Sequence, residues 1–285
     1  MTTVCTEFEK GVKGDNYGPR LECPSVHTGV MAASMPWKGP ETFKGDIQSG
    51  RSLTSVIVLQ RDVGAGKVVG CGKGGMEPSI SYSIHQDDAK NITNGLCKAF
   101  DILAVNPKVD KIWTCHPGQE PYENAKADGK IDEEKADEFR RQVKRDGIGV
   151  NQTGMFCAHQ MGSCRMAGDS ELGAVDVDGE LWEMEGVFVM DASIFPTATG
   201  ANPMMTTMAL CRGLAKRLVE VHNGTARGKE ILQLRAERRA AERKRRKRVR
   251  EQKENVTIIF ILSFIALAFL LIASQSFVNN NFTPS

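Results

Sequence analysis

The sequence predicts an α+β fold, and three observations carry that expectation. Two runs read as strands: LTSVIVLQRD (53–62), rich in β-branched residues as a buried strand is, and SISYSI (79–84), which alternates polar and apolar as a half-buried strand does. Two stretches read as amphipathic helices. The segment GAGKVVGCGKGGMEP between the strands is rich in turn formers, which suits a meander. The first helix is expected over 85–105, with Ile92, Leu96, Phe100 and Leu103 on one face. The second, over 131–147, is acidic at its start and basic at its end, the charge order that a helix dipole favours.

The run GCGKGG (70–75) formally matches G-x-G-x-x-G. A dinucleotide fingerprint needs a strand before it and a helix after it, so that the helix N-terminus meets the pyrophosphate. Pro78 and an alternating strand follow instead, so the run reads as a hairpin loop. With 285 residues the chain can hold one large domain or two small ones. Its 41% hydrophobic and 25% charged content is that of a globular protein. The eight cysteines include no C-x-x-C pair, which suits free thiols in a reducing compartment. His159 and Cys164 have no second ligand pair at zinc spacing, so no metal site is expected.

The net charge of +2 hides an asymmetry, because most of the positive excess lies between Arg235 and Lys253. The stretch 223–255 is expected to form a solvated basic helix, with Glu/Arg pairing at helical spacing in its first half. Residues 256–273 then run without a charge. At about 1.5 Å per residue this is about 27 Å, against a hydrocarbon core of roughly 30 Å. The expectation is a transmembrane helix followed by a short tail, 274–285. That is a C-terminal tail anchor with the main domain held cytosolic by the basic flank, and with membrane lipid as a partner. Nucleic acid is not expected at this charge run, since a basic segment abutting a membrane span is more simply a topology and lipid signal.

The chemistry concentrates between 158 and 218. His159 sits between the apolar run 155–158 and the small-residue turn Met161, Gly162, Ser163, which permits close approach of a planar ring. Histidine titrates near neutrality and is a common general base; a hydrogen-bonded core histidine is the alternative. A short apolar strand over 187–189 leads to Asp191. Asn202 and Pro203 then suit the cap and first position of an apolar helix from Met204 to Leu218. Such a start exposes N–H groups and partial positive charge.

This arrangement, AHQMGSCRMAG…VFVMDASIFPTATGANPMMTTMAL, resembles the C-terminal signature of the glucose–methanol–choline family of flavin-dependent alcohol oxidoreductases, and in particular its long-chain fatty alcohol oxidase branch. TTVCTEF, YGPRLECPSVHTGVMAASMPW and HPGQE resemble the substrate region of that branch. The resemblance covers about 2–218. It implies that His159 is the base toward the substrate hydroxyl and that Asn202 holds the alcohol oxygen. It implies FAD as cofactor, contacted by Asp191 and Ala192, with Gly200, Asn202 and Pro203 against the isoalloxazine ring. Residues 1–150 would form the substrate-binding region. Residues 151–222 would complete the flavin domain, with the 187–189 strand joining its sheet. The implied reaction is oxidation of a long-chain alcohol to an aldehyde, with oxygen as acceptor. The family's N-terminal strand–glycine-loop–helix is not found in the sequence. The chain therefore resembles a C-terminal portion: a gene fragment, an incomplete gene model, or one piece of a split protein to which a separate flavin-binding chain supplies the rest. The rival reading is an inactive, tail-anchored remnant acting as an interaction protein.

Overall fold

A computed structural model describes residues 4–8, 10–11, 13–14, 16–25, 27–70, 78–124, 131–150 and 152–254, and, as backbone only, residues 3 and 255–281. The elements run in the order β1 (Thr3–Cys5), β2 (Arg20–Cys23), α1 (Thr28–Ser34), α2 (Pro40–Gln48), β3 (Ile57–Leu59), β4 (Lys67–Val69), β5 (Ser79–Ser81), α3 (Gln86–Ala104), β6 (Lys111–Ile112), β7 (Tyr122–Glu123) and α4 (Glu133–Asp146). A 3₁₀ turn (Ala192–Ile194), α5 (Met204–His222) and α6 (Ala226–Asn281) follow. Mixed helices and small antiparallel sheets make this an α+β fold, as the sequence predicts. The chain divides into two compact units, one of Met1–Arg165 with Asp191–Ala209, the other of Met166–Met190 with Leu210–Ser285.

In the first unit β1, β2 and β3 form an antiparallel sheet with β2 central, pairing Glu22 with Val4 on one side and Ile57 on the other. The strand expected over 53–62 is therefore short and lies at a sheet edge. Ile57 is 44% exposed, so this is not the buried strand that its β-branched composition suggests. The β4 and β5 strands pair antiparallel, and a strand rather than a helix follows the glycine run. Residues 71–75 of that run lie outside the described residues.

Helices α3 and α4 meet the expected boundaries closely, and their caps show why. His85 Nδ1 accepts from Asp87 N at 3.2 Å at the start of α3, and Asp132 Oδ1 accepts from Lys135 N at 3.3 Å at the start of α4. Gly147, with φ +60°, ends α4 and donates to Val143 O at 3.0 Å. Their apolar faces close on each other, with Phe100, Ala136, Phe139 and Val143 buried together with Ile112 of β6 and Tyr122 of β7. Phe100 lies 4.7 Å from Phe139 and 5.0 Å from Tyr122, centroid to centroid, the latter edge-on.

The second unit corrects three expectations. First, 187–189 is no strand of a sheet. It makes one isolated bridge, Glu180 to Phe188, and its hydrogen bonds go to its own neighbouring loop: Leu181 N to Val187 O at 2.9 Å and Val189 N to Gly179 O at 2.8 Å. Second, the arginine-rich stretch is helical but not a solvated linker. Ile231 (1% exposed) and Arg235 (8%) face inward, and the arginines close on buried acids of 176–180. Arg217 of α5 reaches Asp178 at 2.6 Å, and Arg239 of α6 reaches Glu180 at 3.0 Å. Arg235 lies 3.4 Å from Glu180, and Arg238 pairs with Asp178. Asp176, Asp178 and Glu180 lie on one tight turn, closed by Asp176 N to Glu180 O and Gly179 N to Asp176 O, each at 2.9 Å, which gathers the three carboxylates beside these arginines. Third, the transmembrane helix and tail-anchored localisation are not supported, because no helix among the described residues is long and apolar enough to cross a membrane. The described side chains of α6, up to Glu254, are largely charged, and 256–273 lies beyond them.

Candidate active site

The candidate residues His159, Asp191, Ala192, Gly200, Asn202 and Pro203 all belong to the first unit. His159 is half-buried in an irregular segment. Three residues on, Gly162 adopts φ +84°, and a Cβ there would stand 3.2 Å from Phe195 O. The turn that this glycine permits docks on the 3₁₀ turn: Gly162 N donates to Ala192 O at 3.3 Å and Cys164 N to Ser193 O at 2.9 Å. Ile194 and Phe195, 0% and 4% exposed, anchor the other side. The histidine segment and the Asp191–Ala192–Ser193 turn are thus one hydrogen-bonded assembly, although they lie some thirty residues apart in sequence.

Asp191 caps the 3₁₀ turn, its Oδ1 accepting from Ser193 N at 2.6 Å. Those hydrogen bonds from Ser193 hold the carboxyl below the usual carboxylate range. Asn202 is exposed and Pro203 buried, immediately before α5. Pro203 O accepts from both Thr207 N (2.7 Å) and Thr207 Oγ1 (2.8 Å), which seats the first turn of that helix. Met204, Met205 and Met208 are 63%, 69% and 59% exposed, so the start of α5 opens onto an apolar surface. Among the described residues no cluster of three or more His, Cys, Asp or Glu side chains is arranged to hold a metal ion.

Two residues of this site were not legible in the sequence. Glu22, in the centre of β2, is 5% exposed. Burial pushes its carboxyl above the usual range, against the opposing pull of nearby His159 and Arg20. Leu21 and its partner Val58 face α3, where a Cβ on Gly95 would lie 2.5 Å from Val58 Cγ1. Alternation along the strand puts Glu22 on the opposite face. An acid at one position of a four-residue strand gives no sign of a histidine well over a hundred residues away. Arg61 is the second: its Nε donates to Ala198 O at 3.0 Å, within the turn leading to Asn202.

The GMC oxidoreductase family model matches residues 73–211. Two long-chain-alcohol oxidases of Arabidopsis thaliana, FAO4B and FAO1, are 34% and 31% identical to the chain over 205 residues each, 70% of this chain and 26% of theirs. An oxygen-dependent choline dehydrogenase of Chromohalobacter salexigens is 35% identical over 69 residues, 24% of this chain and 12% of its own. No solved structure matches. The chain thus spans about a quarter of the length of the long-chain-alcohol oxidases it matches. The residues that the family model matches include the hydrogen-bonded assembly around His159 and Asp191, so this part of the chain is a GMC oxidoreductase domain.

Proposed function

We propose that this chain forms the substrate side and the ring-contacting side of an FAD-dependent alcohol oxidoreductase, oxidising a long-chain primary alcohol to an aldehyde with oxygen as final acceptor. The observation that carries the proposal is the docking of the turn after His159 onto Ala192 and Ser193, on the segment that continues to Asn202 and the start of α5. The likeness to long-chain-alcohol oxidases supports the substrate class.

The residues fit the ring end of a flavin. Gly162 and Gly200 both hold left-handed backbone, φ +84° and +68°, which permits the two tight turns that would frame a planar group. Residues Asp191, Ala192, Gly200, Asn202 and Pro203 would hold it, and the positive end of α5 favours an anionic pyrimidine ring. The bound flavin supplies the hydride acceptor that no side chain can. His159 takes the hydroxyl proton on its imidazole, and Asn202 holds the same oxygen by a hydrogen bond. The exposed methionines at the start of α5 offer an apolar wall to an alkyl chain and exclude water from it. The dinucleotide half of FAD calls for a strand–glycine-turn–helix unit. No such unit occurs among the described residues; a flavin-binding domain that supplies it is part of this proposal.

The inactive, tail-anchored alternative is not supported. Among the described residues no helix is long and apolar enough to cross a membrane, and several arginines of α6 are committed to acids of their own unit.

Anaerobic stopped-flow reduction of FAD by a long-chain primary alcohol, in the complex with a flavin-binding chain, tests the proposal. His159→Ala should slow flavin reduction by roughly a hundred- to ten-thousand-fold with FAD still bound. Asn202→Ala should cost about 1–3 kcal/mol, the worth of a hydrogen bond and a helix-start contact. Unchanged reduction in His159→Ala removes the histidine from the mechanism.

A further inference from the structure

The turn that carries Asn202 is gripped by one residue outside the motif. Arg61, two residues beyond β3, donates its Nε–H to Ala198 O at 3.0 Å. Its stem fills the space beside Gly200, where a built Cβ would stand 3.0 Å from Arg61 Cβ. Its guanidinium lies 4.3 Å from the centroid of the Tyr17 ring. Arg61 forms no ion pair among the described residues, so this half-buried cation is held by a ring face and a carbonyl rather than by a carboxylate.

The residues around Arg61 are fixed in turn by α3. Asn91 Nδ2 donates to Tyr17 O at 2.8 Å. Gln60 Nε2 donates to Tyr17 O at 3.0 Å and to Arg61 O at 2.8 Å. Asp88, with 0% exposure, accepts from Val63 N and Gly64 N, each at 3.0 Å, directly after Arg61. A continuous polar network therefore runs from the buried first turns of α3, through the backbone on both sides of Arg61, to the 198–200 turn. A half-buried guanidinium without a counter-charge is costly as a packing element, and an apolar residue would fill the same space more cheaply. Its directional gain is an N–H fixed in the guanidinium plane and aimed at one carbonyl.

We propose that Arg61 is the positioning residue for Asn202: it locks the turn at 198–200 and thereby sets where the Asn202 side chain and the start of α5 stand. The assignment rests on the reading of Asn202 as the partner of the alcohol oxygen, but the contact itself is independent of it.

Amide ¹⁵N relaxation of the full chain, without flavin or alcohol, tests it in Arg61→Gln and Arg61→Lys. Lysine keeps a charge over Tyr17 and a stem beside Gly200 but has no fixed Nε–H for Ala198 O. In both variants the order parameters at 199–202 should fall from rigid values of about 0.85 to below about 0.6, with α3 and α4 unchanged. Wild-type order at 199–202 in the folded variants overturns the proposal. If the Gln variant does not fold, the Lys variant decides alone. A general loss of order that includes α3 and α4 also overturns it, because Arg61 would then support the fold rather than the turn. Since no reaction is measured, failure here leaves the oxidoreductase reading standing, and failure of that reading leaves this contact standing.

Discussion

The seam between α3 and α4 and the seam between α6 and the 166–190 loop are closed by opposite chemistry. The first is closed by Phe100, Phe139, Tyr122 and Val143. The second has an apolar minority, Ile231, Val175, Trp182 and Leu214, and a majority of carboxylates and guanidiniums. Apolar burial is non-directional and tolerates small shifts. A buried ion pair recovers its desolvation only at good geometry. The α3–α4 seam therefore supplies stability, whereas the α6 seam supplies register, because only one sliding position of the helix meets Asp176, Asp178 and Glu180 together.

The largest effect that can break this comparison is in the aromatic seam. Phe100→Ala should cost about 3–5 kcal/mol in urea unfolding, the price of a large buried ring that its neighbours cannot replace. In the ionic seam, Asp178→Asn should cost less, about 1.5–3 kcal/mol, the worth of hydrogen bonds to a charged group. The side chains of Arg217 and Arg238 are 37% and 26% exposed, so water can take over part of what they lose. A cost for Asp178→Asn equal to that of Phe100→Ala would show that the ionic seam is a core in its own right.

The smallest effect is a pH dependence that only one seam should show. Hydrogen bonds from Arg245, then from Ser170 and Arg246, outweigh the desolvation of Glu242 and hold its carboxyl down to about 2, below its ordinary 4.5. A depressed folded-state value means stability that is fully present above the unfolded value and lost as pH falls from about 4.5 toward 2. Acid titration followed by the fluorescence of Trp182, made the sole tryptophan by Trp37→Phe and Trp113→Phe, should show loosening in that window. Glu242→Gln should flatten it, and a Glu242→Gln chain with the same acid transition would assign the transition to other carboxylates.

How far the sequence could be read follows the same division. The boundaries of α3 and α4 were legible because capping residues and apolar period agreed: His85 and Asp132 at the starts, Gly147 at the end. The candidate site was read at His159, Asp191 and Asn202 from motif spacing, and the structure joins the His159 segment to the Asp191 turn by hydrogen bonds. The strand at 187–189 was misread because an apolar run does not say what it pairs with, and here Gly179 and Leu181 take its hydrogen bonds. The face of α3 that meets the sheet was invisible for a different reason. It is made of Asp88, Asn91 and Gly95, none of which a hydrophobic pattern registers. The α6 arginines read as solvated because charge is ordinarily exposed, and their acidic partners at 176–180 lie 55 to 62 residues earlier. Glu22 and Arg61 shared this invisibility, since both act across the fold on residues far along the chain.

Gly200 illustrates what such a long-range contact does to the freedom of a position to change. Two separate obstacles meet there: a left-handed backbone with φ +68°, and the Arg61 stem 3.0 Å from any new Cβ. Asparagine answers the first obstacle, since it tolerates left-handed backbone, but still runs into the stem. Shortening Arg61 answers the second but leaves the backbone strain for most residues and releases Ala198. Neither step alone is neutral, so the route to a side chain at this position passes through two coupled replacements. The glycine in the turn and the arginine beyond β3 are therefore expected to change together or not at all among functional variants of this chain, and a library randomised at both positions is the direct way to see it.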